Sequence, residues 1–436
     1  MKFSIYNSIL QLDDNYTLLY NANSDKFVVL TAQAALNYGK GIDFLAKRDN
    51  NLFKDLQEVK AIVDDNVNEI GDLCDKVKSI VEDDSLFELH INPTLDCNFN
   101  CWYCYENHIK GSKMSEKTLT AIQKYVSKTL SIKTSIKSFH LSFFGGEPLM
   151  YFQRVALPLI KYAQEECKAR NIDFSAHFTS NGFLINDRII EALGKVNVDF
   201  QITLDGDKTN HNKTRFLKNG VGSYDRICSN IKKVASRGHN VCLRINYTLK
   251  NINSIASILS TIKDIPQEYK KCINVDFQRV WQDSDKDLEE SETLSEQLNQ
   301  LFKIFRDEGF SVSFCRVQNT VTNPCYGDRR NNLLINYDGL VFSCTARNFT
   351  PDFSEGEITD KGDINWFGKL KEQRIASKFN RSECHHCRIA PICGGGCTQN
   401  SLERKNIPGC LRGLNEQDID KLILERFEFM FISNKI

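Results

Sequence analysis

Between residues 86 and 280 the chain alternates short strand-like runs with longer amphipathic stretches, and this repeat limits the folds open to it more than any other feature. The runs are 86–93, 139–144, 174–180, 198–204, 241–248 and 274–280. Strands separated by helix-length segments pair in parallel, because each crossover carries the chain back along the sheet. Between the fourth and fifth runs, Tyr224, Ile227, Ile231 and Val234 recur at helical spacing, while Lys232, Lys233 and Arg237 lie off that stripe. One helix face therefore packs on the sheet. The pattern predicts an α/β fold of six βα units, in which ligands gather at the carboxyl ends of the strands.

At 436 residues the chain has room for two or three domains. Its 56 basic and 56 acidic residues leave no net field to draw a nucleic acid or an anionic membrane, so neither is expected as a partner. A peptide or small molecule suits it better. No stretch reaches the ~18 to 20 uninterrupted apolar residues that span a bilayer, and the opening MKFSIYNSILQLDD lacks the apolar core of a secretory signal. A cytoplasmic protein is expected. Sixteen cysteines in such a chain argue against a disulfide framework and for metal ligation in a reducing compartment.

Cys97, Cys101 and Cys104 follow the first run in a C-x3-C-x2-C loop. Three thiolates on a four-iron cluster leave one iron open for a small molecule. Structural zinc instead wants four ligands, commonly two C-x2-C pairs, and no fourth cysteine is near. With Tyr103 ahead of the third cysteine, the motif resembles that of the radical S-adenosylmethionine (SAM) superfamily. The resemblance implies a SAM-chelating 4Fe-4S cluster on Cys97, Cys101 and Cys104, and a partial (β/α)6 barrel over 86–312. Gly145, Gly146, Glu147 and Pro148 end the second run, 41 residues after Cys104. They resemble the family's GGEP segment, which hydrogen-bonds the SAM amino group and makes Glu147 and the neighbouring carbonyls the expected acceptors. A side chain at either glycine would block backbone approach to a ligand. Ser180 and Asn181 at the end of the third run, and Thr203 in the fourth, resemble family segments suited to ribose hydroxyls or a carboxylate. Arg215 resembles the arginine that pairs with the SAM carboxylate, work suited to a planar two-donor fork, with a surface salt bridge as its alternative. Asn246 is a candidate ribose contact or simple barrel filling.

Near the C-terminus come Cys325, Cys344, Cys384, Cys387, Cys393, Cys397 and Cys410, with thirteen residues between the first and Gly339. This pattern resembles the SPASM extension of radical SAM proteins, which binds two auxiliary 4Fe-4S clusters. It implies that Cys384, Cys387, Cys393 and Cys410 hold the outer cluster, and Cys325, Cys344 and Cys397 the inner one. Three 4Fe-4S clusters are then expected in all. Seven cysteines are one too few for two all-cysteine zinc sites. The inner cluster is one ligand short; Cys315 is a candidate fourth ligand, or a substrate meets the open iron. Cys74, Cys167, Cys228, Cys242 and Cys272 lack partner spacing and read as small buried hydrophobes.

Residues 1–85 read as a small α+β unit, with strands over 8–20 and 26–30 around a turn at 21–25, helices to about Val81, and an acidic linker. Many radical SAM peptide-modifying enzymes begin with a similar unit, and in some it docks the leader of a precursor peptide by strand addition, which needs few particular side chains. A structural cap is the alternative. The expected domains are 1–85, 86–312 and a SPASM domain over 313–436. The resemblance implies an oxidoreductase fed by a low-potential donor such as flavodoxin or ferredoxin. It would use a 5′-deoxyadenosyl radical to install a thioether, carbon-carbon or ether crosslink in a ribosomally made precursor peptide. An anaerobic sulfatase-maturating enzyme, which makes formylglycine, is the alternative; a non-catalytic iron-sulfur electron carrier is the alternative of another class. Asp205, Asp276, Gln278 and Arg279 stand at or near strand ends, and the sequence singles out none of them as a catalytic base.

Overall fold

A computed structural model describes residues 1–283 and 288–432. They fall into two compact units. The larger contains Asp84–Cys315 and Asn331–Lys371; the smaller contains Met1–Asp83, Arg316–Arg330 and Glu372–Ile432.

The larger unit is built on an eleven-stranded sheet. Six neighbouring parallel strands run in chain order: β1 (Leu86–Ile91), β2 (Ser138–Phe143), β3 (Asp173–Ser180), β4 (Val198–Thr203), β5 (Asn240–Tyr247) and β6 (Ile273–Arg279). These are the six predicted runs, each ending within two residues of its expected bounds. Two further strands lengthen the parallel sheet: β7 (Ser311–Phe314) beside β6, and β8 (Asn332–Ile335) beside β1. Short antiparallel strands Leu340–Phe342, Gly356–Ile358 and Ile364–Trp366 follow β8.

Alternation fixes the register. Phe87, Leu89 and Ile91 of β1, and Phe139, Leu141 and Phe143 of β2, are at most 1% exposed, and polar residues stand between them. A slip of one residue would exchange the two faces and put the polar set where the apolar one packs. The apolar face is continuous across strands: Phe143 stacks on Phe178 at 4.8 Å between ring centroids, and Phe178 on Phe200 at 5.5 Å.

The smaller unit carries a three-stranded antiparallel meander of Asn7–Gln11, Tyr16–Asn21 and Lys26–Thr31. The run expected as one strand over 8–20 is two. Asp13 Oδ1 accepts hydrogen bonds from the Asn15 and Tyr16 amides at 2.7 and 2.9 Å, and this side-chain turn reverses the chain. Helices Ala32–Gly39, Ile42–Arg48, Asn50–Glu58 and Glu69–Val81 follow, as expected in that segment. Tyr6, Leu18, Tyr20, Leu73 and Val77 share one core with Phe379, Ile389, Ile392, Leu422 and Ile423. The unit boundaries at 83/84 and 315/316 lie close to those expected at 85 and 312, but the segment expected as a third domain is divided between the two units. Pairing of β8 with β1 draws 331–371 into the larger unit, and the shared apolar core draws 372–432 to the N-terminal segment.

A partly buried ion pair joins two distant segments of the smaller unit. Arg426 Nε donates to Asp25 Oδ1 at 2.8 Å, and the Tyr20 hydroxyl donates to the same oxygen at 2.7 Å. Burial alone would push the Asp25 carboxyl up, but hydrogen bonding to Arg426 and its charge hold it below the usual range. Among the described residues no helix is long and apolar enough to cross a membrane.

Candidate functional site

The loop after β1 carries the first three cysteines and is fastened by its own short polar side chains. Thr94 Oγ1 donates to the Ser112 carbonyl at 2.6 Å and accepts from the Asp96 amide at 2.8 Å. Asp96 accepts from the Cys97 amide at 2.9 Å, the Gly111 amide at 2.8 Å and Lys218 Nζ at 2.8 Å. The segment after β2 docks on this loop through backbone, the Glu147 amide donating to the Asp96 carbonyl at 2.9 Å. Only glycine permits that approach. At Gly146 (φ +31°) a Cβ would stand 2.1 Å from the Asp96 carbonyl oxygen, and at Gly145 (φ +77°) it would stand 2.8 Å from the Thr94 carbonyl oxygen.

Glu147 is fully buried. Its Oε1 accepts from the Leu149 amide at 3.0 Å and Ser180 Oγ at 2.9 Å, and its Oε2 accepts from the Asn181 amide at 2.8 Å. Burial pushes this carboxyl up to about 7 against those hydrogen bonds. The carboxylate is therefore a strut from the glycine turn to the end of β3, and the backbone of the turn is what faces outward to a ligand. Pro148 opens the 3-10 turn Pro148–Tyr151 that follows. Asn181 Nδ2 donates to Asn98 Oδ1 at 2.8 Å and lies 3.9 Å from Cys97 Sγ, so the end of β3 also braces the cysteine loop.

One cavity of about 250 Å³ is lined by Cys97, Cys101, Tyr103, Cys104, Gly145, Gly146, Ser180, Asn181, Thr203, Arg215 and Asn246. Glu147 and Pro148 support it from behind. Tyr103 is a hub: its hydroxyl donates to Asp205 and accepts from Arg215 Nη1 at 2.7 Å and Asn246 Nδ2 at 3.0 Å. Arg215 is 8% exposed, so a surface salt bridge is excluded for it. Arg215 Nε and Asp205 Oδ1 are buried with no hydrogen-bond partner. Burial pushes the Asp205 carboxyl up to about 6, although Arg215 and the Tyr103 hydrogen bond oppose it. His211, held neutral by burial, fixes this loop: its Nδ1 accepts from the Asp205 amide at 3.2 Å, and its Nε2 lies 2.9 Å from Ser223 Oγ. Ser223 Oγ in turn donates to the Arg215 carbonyl at 2.7 Å.

Burial, then the Glu147 charge, pushes the Cys97 thiol up to about 12, and burial and Glu106 push Cys104 to about 11. Such thiols ionise only when a metal binds them. Among the described residues no three His, Cys, Asp or Glu side chains converge on one metal ion. A four-iron cluster needs no such convergence, since each thiolate meets a different iron. Three thiols around one cavity, beside an arginine and a carboxylate with unpartnered buried atoms, suit a cluster carrying a charged organic ligand.

In the smaller unit, Cys384, Cys387, Cys393 and Cys410 line a single cavity of about 330 Å³. Burial, then the neighbouring cysteines of this set, pushes the Cys384 thiol up to about 11. Cys325 and Cys397 belong to this unit, whereas Cys344 and Cys315 belong to the larger one. Cys315 Sγ hydrogen-bonds Gln278 Oε1 at 2.8 Å.

Gln278 and Arg279, named from sequence as strand-end candidates, line the first cavity; Thr179, Gln201 and Arg244 line it too and were given no role, and Arg244 Nη2 lies 3.1 Å from Asp276 Oδ2. The missed signal is the alternation within each run. A parallel sheet covered by apolar layers on both faces reads as continuous apolar residues, whereas these strands alternate, which marks a polar interior.

Residues 91–264 match the model of the radical SAM superfamily. The chain is 26% identical over 367 residues to the radical SAM cyclopropyl synthase TigE of Paramaledivibacter caminithermalis, covering 76% of this chain and 71% of that one. It is 27% identical over 374 residues to a cysteine-type anaerobic sulfatase-maturating enzyme of Clostridium novyi, covering 78% and 92%. Among solved structures, native anSMEcpe with bound AdoMet superposes with a TM-score of 0.58 at 18% identity, covering 80% of this chain and 99% of that one. SuiB of Streptococcus suis, bound to its precursor peptide SuiA, superposes at 0.52 and 18% identity, covering 95% and 100%.

Proposed function

Because its domain over 91–264 makes this chain a member of the radical SAM superfamily, we propose that it is a SPASM-type enzyme that oxidatively crosslinks a ribosomally made precursor peptide. Cys97, Cys101 and Cys104 hold the SAM-binding four-iron cluster in this reading. When bound, cluster and SAM together supply a 5′-deoxyadenosyl radical after one-electron reduction. The observation that carries the reading is the single cavity on which the three cysteines, the glycine turn, Tyr103 and Arg215 meet.

The chain's own residues then have distinct tasks. The backbone of the Gly145–Gly146 turn accepts from the SAM amino group, with Glu147 holding the turn in place. Arg215, its Nε unpartnered, takes the carboxylate, and Tyr103 keeps the guanidinium aimed. Ser180, Asn181 and Thr203 frame the ribose side; Asn246 acts there through Tyr103. The polar face of β3 to β6 receives the peptide and excludes bulk water. Cys384, Cys387, Cys393 and Cys410 hold the outer auxiliary cluster, and Cys325, Cys344 and Cys397 the inner one, with Cys315 or a substrate group as its fourth ligand. Electrons arrive from flavodoxin or ferredoxin in the cytoplasm.

A crosslinking maturase is favoured over a sulfatase-maturating enzyme by the N-terminal segment. SuiB, whose structure contains a precursor peptide, covers 95% of this chain, whereas anSMEcpe covers 80%. An edge of the meander, Asn7–Gln11 or Lys26–Thr31, would receive the leader as an added strand. The test is to search beside the gene for a short reading frame and to incubate reconstituted enzyme, SAM and reductant with the peptide that it encodes. A product two hydrogens lighter per crosslink supports the reading. Formylglycine in a sulfatase peptide moves the assignment to the alternative.

A further inference from the structure

Beneath the cavity lies a group of titratable side chains that the reading above leaves without a task. His90, Ser142, His177 and Asp199 are successive register partners across β1, β2, β3 and β4. His177 Nδ1 hydrogen-bonds Asp199 Oδ2, and His177 Nε2 lies 3.1 Å from Thr179 Oγ1. Thr179 lines the cavity, and the Asp199 side chain is 36% exposed. Hydroxyl, imidazole and carboxylate thus stand in line from the cavity to water. With Asp199 ionised, Nδ1 carries the imidazole proton and Nε2 accepts from the threonine hydroxyl, whose oxygen keeps acceptor capacity for a second partner.

We propose that Thr179, His177 and Asp199 form a proton relay that takes up the proton released by the substrate when its new bond closes. The proposal rests on the crosslinking reading above. There, one hydrogen leaves a substrate carbon as an atom and ends in 5′-deoxyadenosine. The group that bonds to that carbon loses its hydrogen as a proton, the bond forms, and the remaining electron passes to an iron-sulfur cluster. The proton is received at Thr179 Oγ1 as the threonine's own proton moves to His177 Nε2, and Asp199 stabilises the imidazolium.

Neighbouring groups do not take over this task. His140 faces His177 from β2 at 6.2 Å between ring centroids, its Nδ1 on Ser175 Oγ at 2.9 Å, and Glu88 is its register partner on β1. Burial, then the other histidines, holds His90 at about 3 and His140 below the usual range, and Lys371 adds to the effect on His90. Both stay neutral near pH 7. A nucleophilic threonine is the other use of such an array, and it would leave a covalent adduct.

The experiment measures crosslinked product per 5′-deoxyadenosine for the full reconstituted enzyme with its peptide. His177→Gln lowers the ratio at pH 7.5 at least about tenfold. Thr179→Val does the same, and Thr179→Ser restores the ratio. Wild-type ratios in His177→Gln and Thr179→Val overturn the relay while leaving the crosslinking reading intact. Failure of Thr179→Ser to rescue, or an adduct on Thr179, also overturns it. A wild-type enzyme that makes 5′-deoxyadenosine but no crosslink overturns both.

Discussion

Replacing Gly146 by alanine tests whether close backbone packing builds the pocket proposed for SAM. The added Cβ would stand 2.1 Å from the Asp96 carbonyl oxygen, where ordinary contacts begin near 3.4 Å, so the glycine turn and the cysteine loop must part by more than about 1 Å. The obstacle is backbone, which cannot rotate aside. Parting them stretches the Glu147 amide to Asp96 carbonyl hydrogen bond and loosens the strut to Ser180 and Asn181. Overpacking of this kind costs about 2 kcal/mol of stability, and a misplacement of about 1 Å at a reacting centre costs about a hundredfold in rate. Gly220→Ala is the control. That residue also has a positive φ, +83°, but a Cβ there meets nothing within 4 Å, so only backbone strain of about 1 kcal/mol applies. SAM affinity by equilibrium dialysis and 5′-deoxyadenosine formation should both collapse in Gly146→Ala and persist in Gly220→Ala, with iron content equal in the two. Wild-type SAM affinity in Gly146→Ala would refute the packing argument.

Asp25→Asn should lower unfolding stability of the smaller unit by about 3 kcal/mol in urea, because it strands the Arg426 guanidinium, whose side chain is 9% exposed. The native carboxyl lies below its usual range, so its contribution is full at neutral pH and is lost as pH falls through the folded value; the two proteins should converge in acid. Iron and sulfide analysis should find about twelve irons per chain in the reconstituted enzyme, and about eight in Cys387→Ala or Cys393→Ala; stoichiometric zinc would contradict the auxiliary clusters. Hydrogen exchange should show new protection on Asn7–Gln11 or Lys26–Thr31 when precursor binds, at a strand edge and not in the helices. Deleting residues 1–85 is a poor substitute for that measurement, because it would expose Phe379, Ile389 and Leu422 of the shared core.

The parts legible in sequence are those whose signal is local. Cys97, Cys101 and Cys104 are close neighbours in one loop, and each long parallel strand announces itself by alternation and a following amphipathic helix. β8 escaped because Asn332–Ile335 is four residues long and buried throughout, which leaves no period to read. The Tyr103 hub escaped because its partners Asp205 and Arg215 lie 102 and 112 residues away. Glu147 was legible as part of a motif, but its task as a strut depends on Ser180 and Asn181, brought beside it by the pairing of β2 with β3. The same limit applies to the smaller unit, whose core joins residues near both ends of the chain.

The most direct test of the account is SAM cleavage by anaerobically reconstituted enzyme under dithionite, with and without Cys97, Cys101 and Cys104 changed together to alanine. The account predicts 5′-deoxyadenosine and methionine from the parent enzyme and none from the triple variant, while the four cysteines around the outer cavity still hold iron. Continued formation of 5′-deoxyadenosine by the triple variant would contradict it.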